Sequence, residues 1–183
     1  MKSLKGYLLV ASPKIKNSIF EKSIILILEH SHKGEGAYGI IIDKYQRDTT
    51  IEEVWEKSTG YKQKSKQLLN IGGPINGPIV TIHTNKKLGE EHITDKVYFT
   101  VEKKTINKII EKEKTLKMFV GYCRWAKGQI EEEVGSGSWF IFESKLEYIF
   151  NLKDSLWNEI LDTEYLEILK KSIKNIPLDP SLN

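Results

Sequence analysis

The sequence predicts an α+β domain built on a mixed or antiparallel β-sheet with short flanking helices. Three observations carry that expectation. Apolar runs of strand length recur at irregular spacing, and several gaps are shorter than the dozen or more residues a parallel crossover needs, which argues against a doubly wound fold. Segment 23–30 (SIILILEH) is apolar on both faces, Ile24, Leu26 and Leu28 alternating with Ile25 and Ile27, as suits a central strand covered on both sides. A chain of 183 residues, 39% apolar and 29% charged, buries an ordinary core without disulfides or a structural metal.

Taken in order, 6–12, 23–30 and 37–43 read as strands, and the two glycines of 31–36 mark a hairpin loop between the second and third. Thr49 or Thr50 caps a short helix ending near Lys57, whose Ile51, Val54 and Trp55 fall on one helical face. The polar segment 57–67 reads as a mobile loop. A second group of strands is expected at 68–72, 78–84 and 97–101, then a helix at 103–113 with Ile106, Ile109 and Ile110 on one stripe. Strand 116–125, a short helix at 128–134 and strand 139–142 follow. Two terminal helices are expected, one lined by Leu152, Leu156, Trp157, Ile160 and Leu161, the next by Tyr165, Leu166, Leu169 and Ile173. Pro177 and Pro180 end helicity, so the expectation is one domain over 1–176 with a tail at 177–183.

The formal charge is +3, and its distribution is uneven. Lys57, Lys62, Lys64 and Lys66 stand together without an acid, which leaves the remainder of the chain slightly negative. Lysine alternates with glutamate over 103–117, the pattern of a solvated face. Arg47 and Arg124 are the only arginines, against the arginine-rich stripe common in nucleic-acid binders. The apolar run 7–11 falls far short of the ~20 residues of a membrane helix, and Cys123 is the single cysteine, so a reducing cytoplasm is the expected compartment and no membrane partner is expected.

Three segments form an ordered pattern: Ile19-Phe20-Glu21-Lys22-Ser23 through Glu29-His30 to Gly36-Ala37-Tyr38-Gly39-Ile40; Ile71-Gly72-Gly73-Pro74 with Ile82-His83-Thr84; and Gly121-Tyr122-Cys123-Arg124-Trp125-Ala126-Lys127-Gly128-Gln129-Ile130-Glu131 through to Trp139. In that order and spacing they resemble the YqgE/AlgH family of bacterial proteins, over roughly residues 4–165. The resemblance implies a single-domain, AlgH-like fold on a coiled, mostly antiparallel sheet. It also implies a cytosolic protein described as a regulator of transcription, with no reaction attached. Relative to that family, Asp43 adds a carboxylate at a strand end, and Cys123 and Arg124 stand where small residues are usual.

Each candidate residue has a plain reading beside a functional one. Gly72-Gly73-Pro74 is a tight turn, or a backbone nest for an anion; Pro74 has no N–H to donate, which favours the turn. His30 and His32 with Glu35 have a spacing compatible with metal ligation, but His30 alone belongs to the family pattern and reads as a hydrogen-bonded histidine at the hairpin mouth. His83 meets His30 only if two strand ends converge. Cys123 alternates with Phe119, Gly121 and Trp125 and reads as a small core residue rather than a nucleophile. Gln129 and Glu133, four apart on one helix, join Trp125 as an amide, a carboxylate and an aromatic plate, suited to a polar pocket or a partner peptide. Alternatively the tryptophans anchor the core and Gln129 caps exposed backbone.

These residues point first to a non-enzymatic regulatory or interaction protein, its surface formed by His30, His83, Trp125, Gln129 and Glu133 and its partner another protein. No catalytic residue, metal or cofactor is assigned. Two alternatives are a hydrolase pairing His30 or His83 with Glu29, Asp43 or Glu133, and a nucleic-acid binder using Lys57, Lys62, Lys64, Lys66 and Tyr61.

Overall fold

The computed structural model describes residues 2–31, 34, 36–150 and 153–174, and only the backbone of Tyr165 and of 167–174. Two sheets form in place of one. The first is antiparallel throughout: β1 (Tyr7–Ala11) pairs with β2 (Ile24–Ser31), β2 with β3 (Gly36–Ile41), β3 with β10 (Cys123–Trp125), and β1 on its other edge with β11 (Trp139–Glu143). The second runs, in spatial order, β4 (Tyr45–Thr50), β5 (Leu68–Ile71), β9 (Leu116–Val120), β6 (Val80–His83), β8 (Val97–Thr100) and β7 (Glu91–Thr94). Its single parallel pair, β5 with β9, makes it a mixed sheet.

The two-faced apolar strand explains the layering. Ile24 and Leu26 of β2, with Leu8 and Val10 of β1, face the second sheet and pack against Val80, Ile82, Val97 and Phe119. Ile25 and Ile27, with Leu9 and Ala11, face the other way onto Trp125, Ile130 and Trp139. Each such side chain, fully removed from water, stabilises the fold by roughly 1.5–3 kcal/mol before entropy is counted. Helices α1 (Ile51–Thr59) and α2 (Lys103–Lys112) cover the outer face of the second sheet through Ile51, Trp55, Ile106 and Ile109. Helix α4 (Leu146–Phe150) and the first turns of α5 (Leu156–Lys174) add Tyr148, Ile149, Leu156 and Ile160 to the core between the sheets.

Local signals set several boundaries. Thr50 caps α1 in a capping box with Glu53, and Gly60 ends it at φ +77°. The expected strand 116–125 is broken at Gly121 (φ +74°), so that β9 stays in the second sheet and β10 crosses to the first. Neither β4 nor β7 is expected from the sequence. β4 is an almost wholly polar edge strand (YQRDTT), and the β7–β8 turn puts Lys96 rather than glycine or asparagine at positive φ. The helix expected at 165–173 is the continuation of α5; Leu152, Pro177, Pro180 and the expected tail lie outside the described residues. Segment 60–67 has no regular structure, as a loop should, and makes contacts with the helices: buried Gln63 donates to Asn107 Oδ1 at 2.7 Å, and Ile51 N–H donates to Gln67 O at 2.8 Å.

Asp43 and Lys117 bring opposite charges into the junction of the sheets. Asp43 accepts from Ile24 N–H at 2.9 Å, and the Lys117 ammonium, itself buried, donates to Ile42 O at 2.7 Å. Burial lifts the Asp43 carboxyl to about 6 and lowers Lys117 to about 8, each charge partly offsetting the other's shift. A raised acid favours the native state below its unfolded value of 3.8, and that contribution is lost as pH rises through about 6. Lys117, being depressed, contributes above 10.5 and loses that contribution as pH falls through about 8. Asp43→Asn keeps the acceptor and removes the charge. Urea unfolding at about pH 4 and about pH 7 will show the variant gaining on wild type by on the order of 1–2 kcal/mol as pH rises. Parallel stability profiles for the two proteins would contradict this.

Candidate functional site

The three patterned segments meet where the chain passes between sheets. Gly72 N–H donates to Val120 O and Ile41 N–H donates to Gly72 O, each at 2.8 Å, while Ile75 and Tyr122 exchange backbone hydrogen bonds at 3.0 and 3.1 Å. The strands approach so closely that a Cβ on Gly72 would lie 2.3 Å from Gly121 O, and one on Gly121 would lie 2.3 Å from Gly73 O. Gly72-Gly73-Pro74 is therefore a tight connection with the Gly72 amide spent on β9.

From this junction β10 leads into α3 (Gln129–Gly135), where one carboxylate organises the neighbouring side chains. Glu133 Oε2 accepts from the indole N–H of Trp125 at 3.0 Å and of Trp139 at 2.8 Å, and Oε1 accepts from the Gln129 amide at 2.8 Å. Gln129 Oε1 in turn accepts from Ala126 N–H at 2.9 Å, so this side chain does cap exposed backbone. The two indoles meet edge to face at 6.5 Å, and Phe20 packs edge-on against Trp139 at 5.8 Å. Between them opens a crevice of about 360 Å³ walled by Phe20, Ile75, Cys123, Trp125 and Trp139, with Arg124 and Gln129 at its rim. Trp125, Gln129 and Glu133 thus come together as expected, and the first and second segments supply the opposite walls.

The other candidates divide. His30 is joined to this region through α3: its Nδ1 accepts from Leu4 N–H at 2.9 Å, which puts the ring proton of the neutral form on Nε2, 3.2 Å from Glu131 Oε1. His32 and Glu35 lie outside the described residues. His83 does not join His30. It is buried in the second sheet, accepting from Asn85 N–H at Nδ1 and bonded through Nε2 to Thr100 Oγ1 at 3.0 Å, and burial lowers its pKa. Cys123 is buried, its thiol pushed up to about 12 by burial and directed at Gly72 O, the state of a core residue rather than a nucleophile. Arg124 stacks its guanidinium over the Tyr38 ring at 5.2 Å, a cross-strand pair that only the β3–β10 register reveals. Lys57, Lys62, Lys64 and Lys66 are exposed, but Lys66 pairs with Glu52 at 3.3 Å, and Glu111 and Glu113 border the same groove. Sequence reasoning had no signal for the Glu133 bond to both indoles, which needs the β10, α3 and β11 geometry.

Glu133→Ala leaves two buried indole N–H groups without an acceptor. The expected cost is about 2–4 kcal/mol in urea unfolding, with altered tryptophan emission, and Glu133→Gln, which keeps one acceptor oxygen, will lose less. Equal stability of Glu133→Ala and wild type would show that the clamp is not needed.

Comparison with known proteins agrees with this architecture. A family model described as AlgH-like (DUF179) matches residues 8–168. Among similar chains are a UPF0301 protein of Cytophaga hutchinsonii, 29% identical and covering 98% of both chains, and a UPF0301 protein of Chlamydia trachomatis, 31% identical over 98% of this chain and 95% of the other. The solution structure of the AlgH protein from Pseudomonas aeruginosa superposes with a TM-score of 0.75 at 18% identity, covering 92% of this chain and 94% of that one. A crystal structure from Corynebacterium diphtheriae superposes with a TM-score of 0.71 at 23% identity, covering 86% and 85%. The chain belongs to the AlgH-like family.

Proposed function

We propose that this protein is a non-enzymatic regulatory or interaction protein of the cytosol that grips a partner protein in the crevice between Trp125 and Trp139. The observation that carries the reading is an apolar crevice, walled by parts of all three patterned segments, with the Arg124 guanidinium at its rim. Arg124 lines it and is exposed, its guanidinium stacked on Tyr38, and Glu133 is engaged by two indoles and an amide. Such a surface suits a partner segment that offers an apolar side chain flanked by carboxylates. The part in transcription implied by the family would then run through that protein partner rather than through direct contact with DNA.

The hydrolase reading has less support, since both ring nitrogens of His30 and of His83 are occupied by structural contacts. The lysine segment has less support as a nucleic-acid surface because carboxylates border it.

The test is affinity capture with wild type, Ile75→Glu in the crevice wall, and a control with Lys57, Lys62, Lys64 and Lys66 all changed to Gln. Ile75 is 37% exposed, so the substitution is tolerated by the fold while placing an anion in the crevice. Partners retained by wild type and the control but lost with Ile75→Glu are the expected result. The same partners on all three baits would overturn the crevice, and their loss with the lysine variant alone would favour nucleic-acid binding.

A further inference from the structure

A second cavity, of about 610 Å³, lies on the other side of the 121–125 segment. One wall is the first sheet, through Leu28, Tyr38 and Ile40, the other is the second sheet, through Val80 and Phe99, and Tyr122 lies between them. Gly36, Gly39 and Gly121 line it with backbone, and close contacts on their far sides fix that backbone: a Cβ on Gly36 would sit 2.1 Å from Trp125 O, and one on Gly121 2.3 Å from Gly73 O. Its volume falls within the roughly 300–1,000 Å³ of small-molecule sites, and its walls are mainly apolar and aromatic. Leu28, Phe99 and Tyr122 are only partly buried against the core, so this apolar surface stays in contact with water.

The polar groups at the cavity define the ligand. Glu29 and Glu91 line it, and among the described residues no lysine or arginine does. Glu91 is neutralised by an ion pair with Lys5. Glu29 is exposed, and its carboxylate has no hydrogen-bond or ion-pair partner among the described residues. The Tyr38 and Tyr122 rings stand 6.0 Å apart, and Tyr38 already holds the Arg124 guanidinium over one face, whereas Arg124 itself lines the crevice. We propose that this cleft binds a small amphipathic amine, its apolar body between Leu28, Ile40, Val80 and Phe99 and its ammonium at Glu29. A carboxylate of the same shape would meet the Glu29 carboxylate and, among the described residues of the lining, no lysine or arginine, so the charge on the ligand decides binding.

The test uses a matched pair of probes with one apolar body, 4-phenylbutylamine and 4-phenylbutyrate, titrated into the full chain and followed by amide chemical shifts. The amine is expected to perturb Leu28, Tyr38, Ile40 and Phe99 in a saturable way and to bind at least about tenfold tighter than the carboxylate. Glu29→Lys, at an exposed position, should abolish or reverse that preference, and Val101→Trp, at the half-exposed cleft lining, should block both probes. Equal binding of the two probes, shifts confined to other surfaces, an amine affinity unmoved by Glu29→Lys, or no saturable binding of either would each overturn the proposal. Because Trp139 and Gln129 lie in the crevice and not in this cleft, their signals stay still in these titrations. A failed cleft and a failed protein-binding crevice are therefore read separately.

Discussion

The close backbone approach of Gly72-Gly73 to Gly121-Tyr122 is the constraint on which the rest of this structure depends. With carbonyl oxygens 2.3 Å from where a Cβ would sit, side chains are excluded at Gly72, Gly73 and Gly121, and the chain can leave the second sheet after β9 and enter the first as β10. That crossing turns successive side chains to opposite sides. Tyr122 faces the cleft between the sheets, while Cys123 and Trp125 face the crevice under α3. One wall therefore serves two cavities of different character, one with Arg124 at its rim and the other lined by Glu29 and Glu91.

Around that wall, most of the chemistry-bearing side chains are committed to holding the fold. Glu133 joins β10, α3 and β11 through two indoles and an amide, and His30 ties the N-terminal segment to α3 through Leu4 and Glu131. His83 and Thr100 satisfy one another and the Leu88 carbonyl inside the second sheet. Buried polar groups of this kind cost stability unless bonded, and here each bond fixes the position of a neighbouring element. The two cavities that remain have mainly apolar walls with charged margins.

Much of this was legible in the residues. The alternation of Ile24–Ile27 announced a strand with two covered faces, Thr50 and Glu53 marked the start of α1, and the i, i+4 spacing of Gln129 and Glu133 placed both on one side of α3. The features that escaped depend on tertiary geometry. The break at Gly121 is invisible in an apolar run that reads as one strand, and polar β4 pairs only because it lies along β5. The β7–β8 hairpin turns at Lys96, which carries no turn signature. The cleft draws its lining from both sheets, so it exists only once the two face one another.

The most direct test of this account is the unfolding free energy and tryptophan emission of Gly121→Ala. A methyl group at φ +74° and 2.3 Å from the Gly73 oxygen should cost more than about 2 kcal/mol and disturb the environment of Trp125 and Trp139. A variant as stable as wild type, with unchanged emission, would mean that the two strands need not touch, and the shared wall would lose its physical basis.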